Sequence, residues 1–221
     1  MEDYKEIHNQ IIGEKIVNAL EANNMKGYYL KSAKEVVPLL KSMLVEGEII
    51  SFGGSQTLEE CGVIAAIRNG NYKMIDRFAK NLSSEQRGDL FRQAFTSDTL
   101  LTSVNAITFD GRLYCVDGTG NRIAAMIYGP KQVIVVVGVN KIVESIEAAV
   151  NRVRLISAPV NCIRFDSDTY CQNNGYCMYL NQEIGKNTGC RNTMCCFSTI
   201  FSRQQVKNRI HVIIVGETLG F

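Results

Sequence analysis

The sequence predicts an α/β fold, one three-layer domain built on a mostly parallel sheet with helices on both faces. Two observations predict it. The run VIVVV (residues 133–137) is wholly apolar and bounded by polar turns, the pattern of a strand covered on both faces. Along the rest of the chain, short strand-like runs alternate with helix-period segments, which implies parallel strands joined by helical crossovers. No internal repeat or low-complexity segment interrupts the alternation.

A first helix is expected over residues 4–22, where Tyr4, Ile7, Ile11, Ile12, Ile16, Ala19 and Leu20 recur near helical spacing. Asn23-Asn24 and Gly27 stop it, and GYYL (27–30) is a short strand. Ser32-x-x-Glu35 reads as a capping box for a helix running to about residue 45. Pro38 either marks the first turn of that helix or kinks it, at a cost of about 3 kcal/mol. EIISF (48–52) is a second strand. A turn at 53–56 follows, and Thr57-Leu58-Glu59-Glu60 reads as the capping box of a helix to about residue 67. A helix over 83–95 and a strand near 100–102 come next. Asp110-Gly111, between ITF and RLY, predicts a two-residue type I′ hairpin. After VIVVV, Asn140-Lys141 opens a long helix over 141–156 with Ile142, Val143, Ile146, Ala149, Val150 and Val153 on one stripe. Residues 165–208 are rich in Cys, Asn, Thr and Gly and poor in periodicity. They are expected to form a long excursion before the last strand, IHVIIV (210–215).

A chain of 221 residues can bury roughly 70% of its unfolded surface, so its core needs no metal or disulfide. The net charge is +2, and no basic stripe with interleaved aromatics appears, which argues against nucleic acid as a partner. No apolar run approaches the roughly 20 residues that span a bilayer. The polar N-terminal sequence MEDYKEIHNQ does not resemble a signal peptide, so a cytoplasmic protein is expected.

Three polar stretches carry the chemistry. In SFGGSQTLEE a strand ends, Gly53 and Gly54 allow close backbone approach, and a capped helix begins. Backbone N–H groups there, with the hydroxyls of Ser55 and Thr57, favour an anion such as phosphate or carboxylate. A self-capped strand-to-helix turn explains the same residues without a ligand. The turn Asp117-Gly118-Thr119-Gly120-Asn121-Arg122 superficially resembles GxGxxG. Ile123 replaces the third glycine, however, and the turn follows a hairpin, which argues against a dinucleotide fingerprint. No GxxxxGK[ST] phosphate loop is present either. Arg122 can grip an anion with its planar fork, or it can pair with Asp117 in a surface turn. Asn140 suits a helix N-cap, and Lys141 brings a positive charge to the same strand-end cleft. Glu217, directly after the last strand, is the acid placed to meet that cleft.

The eight cysteines divide into two groups. Cys61, Cys115 and Cys162 sit in apolar contexts and are expected to be buried as small hydrophobes. Five more crowd 171–196, enough thiolates for zinc or an iron–sulfur cluster, with Cys171, Cys177, Cys190 and Cys195 as the ligand set. Their spacing contains neither C-x-x-C nor a ferredoxin run, and reduced thiols in a loop-rich segment explain them equally. His8 is expected on the exposed face of the first helix and His211 as a structural residue of the last strand. No nucleophile elbow accompanies His211, which argues against Ser-His-Asp or Cys-His hydrolysis.

Several separate motifs carry one family resemblance. They are Asn105-Ala106-Ile107-Thr108, Asp110-Gly111, Asp117-Gly118, Gly120-Asn121-Arg122, Gly129-Pro130, Val137-Gly138, Asn140-Lys141, and Gly216-Glu217 with Leu219-Gly220. Phe52-Gly53-Gly54-Ser55 and Thr57-Leu58-Glu59-Glu60 match further upstream. In their order these resemble the LUD-domain (lactate-utilization) proteins, the family of lactate-utilization protein C, over nearly the whole chain. The resemblance implies a single LUD domain over 1–221 with a fold similar to the NagB/RpiA/CoA-transferase group. It further implies a role in oxidising L-lactate to pyruvate, as an accessory subunit alongside separate iron–sulfur lactate-oxidation subunits. In CoA-transferase-like folds a glutamate can act as nucleophile, but no local motif carries that role to Glu217. Family members often carry a pattern like PC-x4–5-C-x-x-C and a later IC. Here Tyr170 replaces the proline, Leu180 replaces the second Cys of C-x-x-C, and Cys195 best matches the later Cys.

The leading expectation is therefore an anionic-ligand cleft formed by Gly53, Gly54, Ser55, Thr57, Asn105, Asp117, Gly118, Gly120, Asn121, Arg122, Asn140 and Lys141. A small-molecule transferase or isomerase with Lys141 or Glu217 catalytic, and a zinc-stapled interaction module, are the alternatives. A homo-oligomer is left open.

Overall fold

The computed structural model describes residues 3–77, 79, 81–183 and 189–221. In chain order the elements are α1 (Tyr4–Ala22), β1 (Lys26–Leu30), α2 (Val36–Met43), β2 (Ile49–Phe52), α3 (Gln56–Glu60), α4 (Val63–Arg68), β3 (Lys73–Met74), α5 (Ser84–Gln93), β4 (Thr99–Thr102), β5 (Ala106–Thr108) and β6 (Leu113–Asp117). They continue with α6 (Asn121–Tyr128), β7 (Gln132–Gly138), β8 (Ile142–Val143), α7 (Ile146–Arg152), α8 (Ala158–Phe165), α9 (Tyr170–Asn174), β9 (Phe197–Phe201) and β10 (Ile210–Val215).

The main sheet has six strands in the order β1-β10-β7-β4-β2-β3, and every pairing in it is parallel. The expected α/β architecture is therefore present. Its centre is VIVVV, and the pleat explains why that run is wholly apolar. Val133, Val135 and Val137 join one core, with Ile16 and Leu20 of α1 and Met126 of α6. Ile134 and Val136 join the opposite core, with Leu40 of α2, Leu58 of α3 and Ile64 of α4. All five side chains are fully buried, each contributing roughly 1.5–3 kcal/mol.

A second sheet, β8-β5-β6-β9, was not predicted. Its Ile107 and Leu113 face the first core. Its Ala106 and Tyr114 face Ile146, Ala149 and Val150 of α7.

Local chemistry accounts for the element ends. Asp3 caps α1 by accepting from the Lys5 and Glu6 amides at 3.0 and 3.3 Å. The C-terminal half of α1 buries Ile16 and Leu20, whereas Tyr4, Ile7 and Ile11 remain exposed. The Ser32–Glu35 capping box forms, on a short 3-10 turn. Pro38 is the third residue of α2, where no intrahelical N–H bond is required.

Four local expectations are corrected. The helix after β2 is capped by Ser55, whose Oγ accepts from the Leu58 amide, and left-handed Gly62 (φ +69°) breaks it into two. The hairpin has a three-residue loop, Phe109 to Gly111. Gly111 alone is left-handed (φ +77°), and its amide donates to the Thr108 carbonyl at 2.9 Å. Asn140 caps no helix. Residues Val139–Lys141 form a 3-10 turn leading into β8, and α7 begins under a Ser145 cap. A π turn over Val153–Ser157 then joins α7 to α8.

The excursion over 165–208 is pinned rather than loose, although residues 184–188 within it lie outside the described residues. Its β9 pairs antiparallel with β6. The Arg154 guanidinium donates to the Gln182 and Glu183 carbonyls, and the Cys196 amide donates to the Asp117 carbonyl. Among the described residues no helix is long and apolar enough to cross a membrane.

Candidate functional site

The strands β2, β4 and β7 lie side by side and run in the same direction. Their carboxyl ends therefore deliver three segments to one edge: Gly53–Ser55, Ser103 and Lys141. The end of β6 brings Asp117 and the turn to α6 against them. A cavity of about 280 Å³ lies where they meet, lined by Gly54, Ser55, Asn105, Asp117, Gly118, Asn121, Arg122 and Lys141 of the expected set. The crevice outside the carboxyl ends of parallel strands is the usual ligand position in open α/β sheets.

Four expected residues lie beside this cleft rather than on its wall. Gly53 lines a smaller neighbouring pocket with Phe91 and Arg122. It sits where a Cβ would collide with Thr102 Oγ1, so its role is close packing. Thr57 is buried behind the wall, holding Lys141. Gly120 takes the left-handed turn (φ +76°) that starts α6. Asn140 instead ties down the segment that follows β10. Its Oδ1 accepts from the Leu219 amide at 3.0 Å and its Nδ2 donates to the Gly220 carbonyl at 3.3 Å. Glu217, the acid expected to meet the cleft, is exposed and is not among the residues lining it; the acid that does line it is Asp117.

Arg122 does not extend an open fork into the cavity. Its Nε and Nη2 donate to Asp117 Oδ1 at 2.9 and 2.6 Å. Nη1 donates to the Ser103 carbonyl, and Nη2 also donates to Asn105 Oδ1 and the Val116 carbonyl. The other carboxylate oxygen of Asp117 accepts from the Ile123 amide at 2.9 Å. This pair fastens the end of β4 to β5, β6 and α6. It keeps the expected Asp117 partner but is buried, with side chains only 13% and 8% exposed.

Lys141 is the least conventional group in the cleft. It is 4% exposed, and its ammonium donates to Thr57 Oγ1 at 2.9 Å and Ser103 Oγ at 3.2 Å. None of the ion pairs among the described residues includes it. Burial, followed by the charges of Arg152 and Arg122, pushes its pKa down to about 7, against opposing effects of Glu60 and Cys115. Arg152 is itself held between the Asn140 and Asn105 carbonyls and Ser157 Oγ.

Sequence reasoning missed several wall residues, notably Arg77, Ser103, Asn161 and Arg164. Arg77 lies over the Phe91 ring at 4.7 Å, and burial lowers its pKa. Among the described residues, the cleft wall thus carries four basic side chains, Arg77, Arg122, Lys141 and Arg164, and one acidic one, Asp117. A wider open groove of about 630 Å³ between α1 and β1 carries Glu14 and Glu35 against Lys31, so it has no comparable positive bias.

Cys171, Cys177, Cys190 and Cys195 do converge. Together with Cys162 they line a cavity of about 20 Å³ beneath Met194, which also reaches the cleft. The expectation of zinc or an iron–sulfur cluster on that ligand set is not supported by their spacing. Among the described residues no group of three His, Cys, Asp or Glu side chains stands where it could hold a metal ion. Ala158, Thr169, Tyr179 and Thr193 share the same wall. Burial and the neighbouring thiols push Cys171 up to about 11 and Cys195 up to about 12. Cys61, Cys115 and Cys162 are buried as expected. His8 is exposed, and His211 stacks on Tyr28 with ring centroids 6.0 Å apart.

The fold and site thus define an α/β domain with a basic cleft at the carboxyl ends of its central strands. The chain belongs to the LUD domain family, whose model matches residues 13–215. No curated protein matches it. Among solved structures it is similar to a DUF162 family protein from Deinococcus radiodurans, at 14% identity and a TM-score of 0.49, over 94% of this chain and 97% of that one. It is also similar to ribose 5-phosphate isomerase A from Methanocaldococcus jannaschii, at 16% identity and a TM-score of 0.33, over 71% of this chain and 66% of that one.

Proposed function

We propose that this LUD-domain chain is a ligand-binding subunit in the oxidation of L-lactate to pyruvate. It holds a small carboxylate or phosphate in the strand-end cleft and works beside separate iron–sulfur subunits. The family supports the metabolic setting. The observation that supports the ligand class is the excess of basic over acidic side chains among the described residues of the cleft wall, where Asp117 is already engaged by Arg122. Arg77 and Arg164 line the same wall, and guanidinium groups are suited to meeting an anion's oxygens.

Calorimetric titration of the purified chain with L-lactate, pyruvate and inorganic phosphate tests this. Saturable one-to-one binding of at least one of them, weakened by added salt and by Arg77→Gln, is the expected result. Absence of heat for all three contradicts it. The isolated subunit is also expected to be colourless. Visible cluster absorbance would place the redox centre in this chain instead.

A further inference from the structure

We propose that Lys141 forms an imine with the carbonyl carbon of a small 2-oxo acid bound in the cleft. The inference rests on the cleft being an anion site and adds covalent chemistry to it.

The first ground is the surroundings of Nζ. Most lysines are solvated or paired with a carboxylate. Lys141 is enclosed where the turn after β7, the first turn of α3 and the end of β4 meet, and its hydrogen-bond partners are two neutral hydroxyls. The charged groups acting on it near pH 7 are Arg122 on α6 and Arg152 on α7, opposed by Glu60 on α3. Burial and the two guanidinium groups prevail, so a large share of the side chain is neutral near pH 7. A solvated lysine of pKa about 10.4 is neutral in only about one molecule in 10³ at that pH. A desolvated amine beside other cations is the arrangement that activates lysine as a nucleophile.

The second ground is what shares the wall. Arg77 and Arg164 line the same cavity as Lys141. A 2-oxo acid places a carboxylate one bond from its carbonyl. Guanidinium groups holding the carboxylate would present the carbonyl to a nearby amine, an orientation effect that accelerates addition.

The third ground is proton handling. The Nζ lone pair attacks the carbonyl carbon, a C–N bond forms, and the carbonyl π electrons pass to oxygen. The two amine protons leave with that oxygen as water when C=N closes. Amine and ketone give imine and water, with no change in oxidation state. Ser103 Oγ and Thr57 Oγ1, both within hydrogen-bond distance of Nζ, are the groups able to relay those protons.

The test is reductive trapping on the full chain. The protein is incubated at pH 7 with pyruvate and cyanoborohydride, followed by intact mass measurement and peptide mapping. One adduct per chain is expected, on Lys141, favoured by more than about tenfold over any exposed lysine. It should be absent from Lys141→Met protein whose fold is verified by circular dichroism. The wild-type map is decisive even if that variant does not fold. Calorimetric binding of pyruvate without an adduct at Lys141, or adducts spread over surface lysines, overturns the imine and leaves the anion cleft standing. Neither binding nor adduct overturns both.

Discussion

Lys141 Nζ lies 2.9 Å from Thr57 Oγ1, joining residues 84 apart in sequence at the floor of the strand-end cleft. A buried amine held by a hydroxyl rather than a carboxylate has a consequence for stability. Its pKa is about 7 in the fold and about 10.4 in an unfolded chain. Between those values the unfolded state binds more protons, so Lys141 makes stability rise with pH. Below pH 7 both states are protonated and the penalty is constant. Urea unfolding at pH 7 and pH 9 should show wild type gaining on Lys141→Met by about 1–3 kcal/mol. Comparison with the variant isolates Lys141, because the buried thiols act with opposite sign above about pH 8.5. A pH-independent difference between the two proteins contradicts the burial argument.

Asp117→Asn should be strongly destabilising. It keeps the size of the side chain but leaves the buried Arg122 guanidinium without its counter-charge, a loss on the order of 3 kcal/mol. Denaturant unfolding measures it. A loss below about 1 kcal/mol would mean that this pair behaves as a surface ion pair.

Gly53→Ala should cost about 1–3 kcal/mol through overpacking, because its Cβ would meet Thr102 Oγ1 and crowd Arg122 Cδ. Thr102→Ala in the same chain should recover part of that loss. Additive losses in the double variant would place the strain elsewhere.

Pulsed alkylation at pH 8 should modify Cys196 first, since it is the exposed cysteine. Cys61 and Cys115, raised to about 11 by burial, and Cys171 and Cys195 should react only on unfolding. Uniform labelling contradicts this order. Stoichiometric zinc or iron in protein prepared without chelator would instead assign the thiol pocket to a metal.

The parts legible in the sequence were those with local causes. VIVVV announced a doubly covered strand because both faces of β7 are cores. The strand-end turns announced a cleft because glycines and polar residues must follow parallel strands there. What was not legible depends on distant partners. Asn140 has the chemistry of an N-cap, yet its amide is used by Leu219 and Gly220 from the far end of the chain. Thr57 and Glu60 have capping-box spacing, but Thr57 serves Lys141 and Glu60 accepts from the Gly220 amide. Helix α6 was hidden because the polar DGTGNR turn runs directly into it. The second sheet rests partly on β8, two residues long, too short for any periodicity. Arg77 and Arg164 belong to no motif and reach the cleft only through the fold.

The most direct test of the cleft is a crystal structure of the chain with a small carboxylate bound. Density for the carboxylate within hydrogen-bond distance of Arg77 or Arg164, beside Lys141, is the expected result. Density in the groove between α1 and β1, near Lys31, with the strand-end cleft holding only solvent, would contradict it.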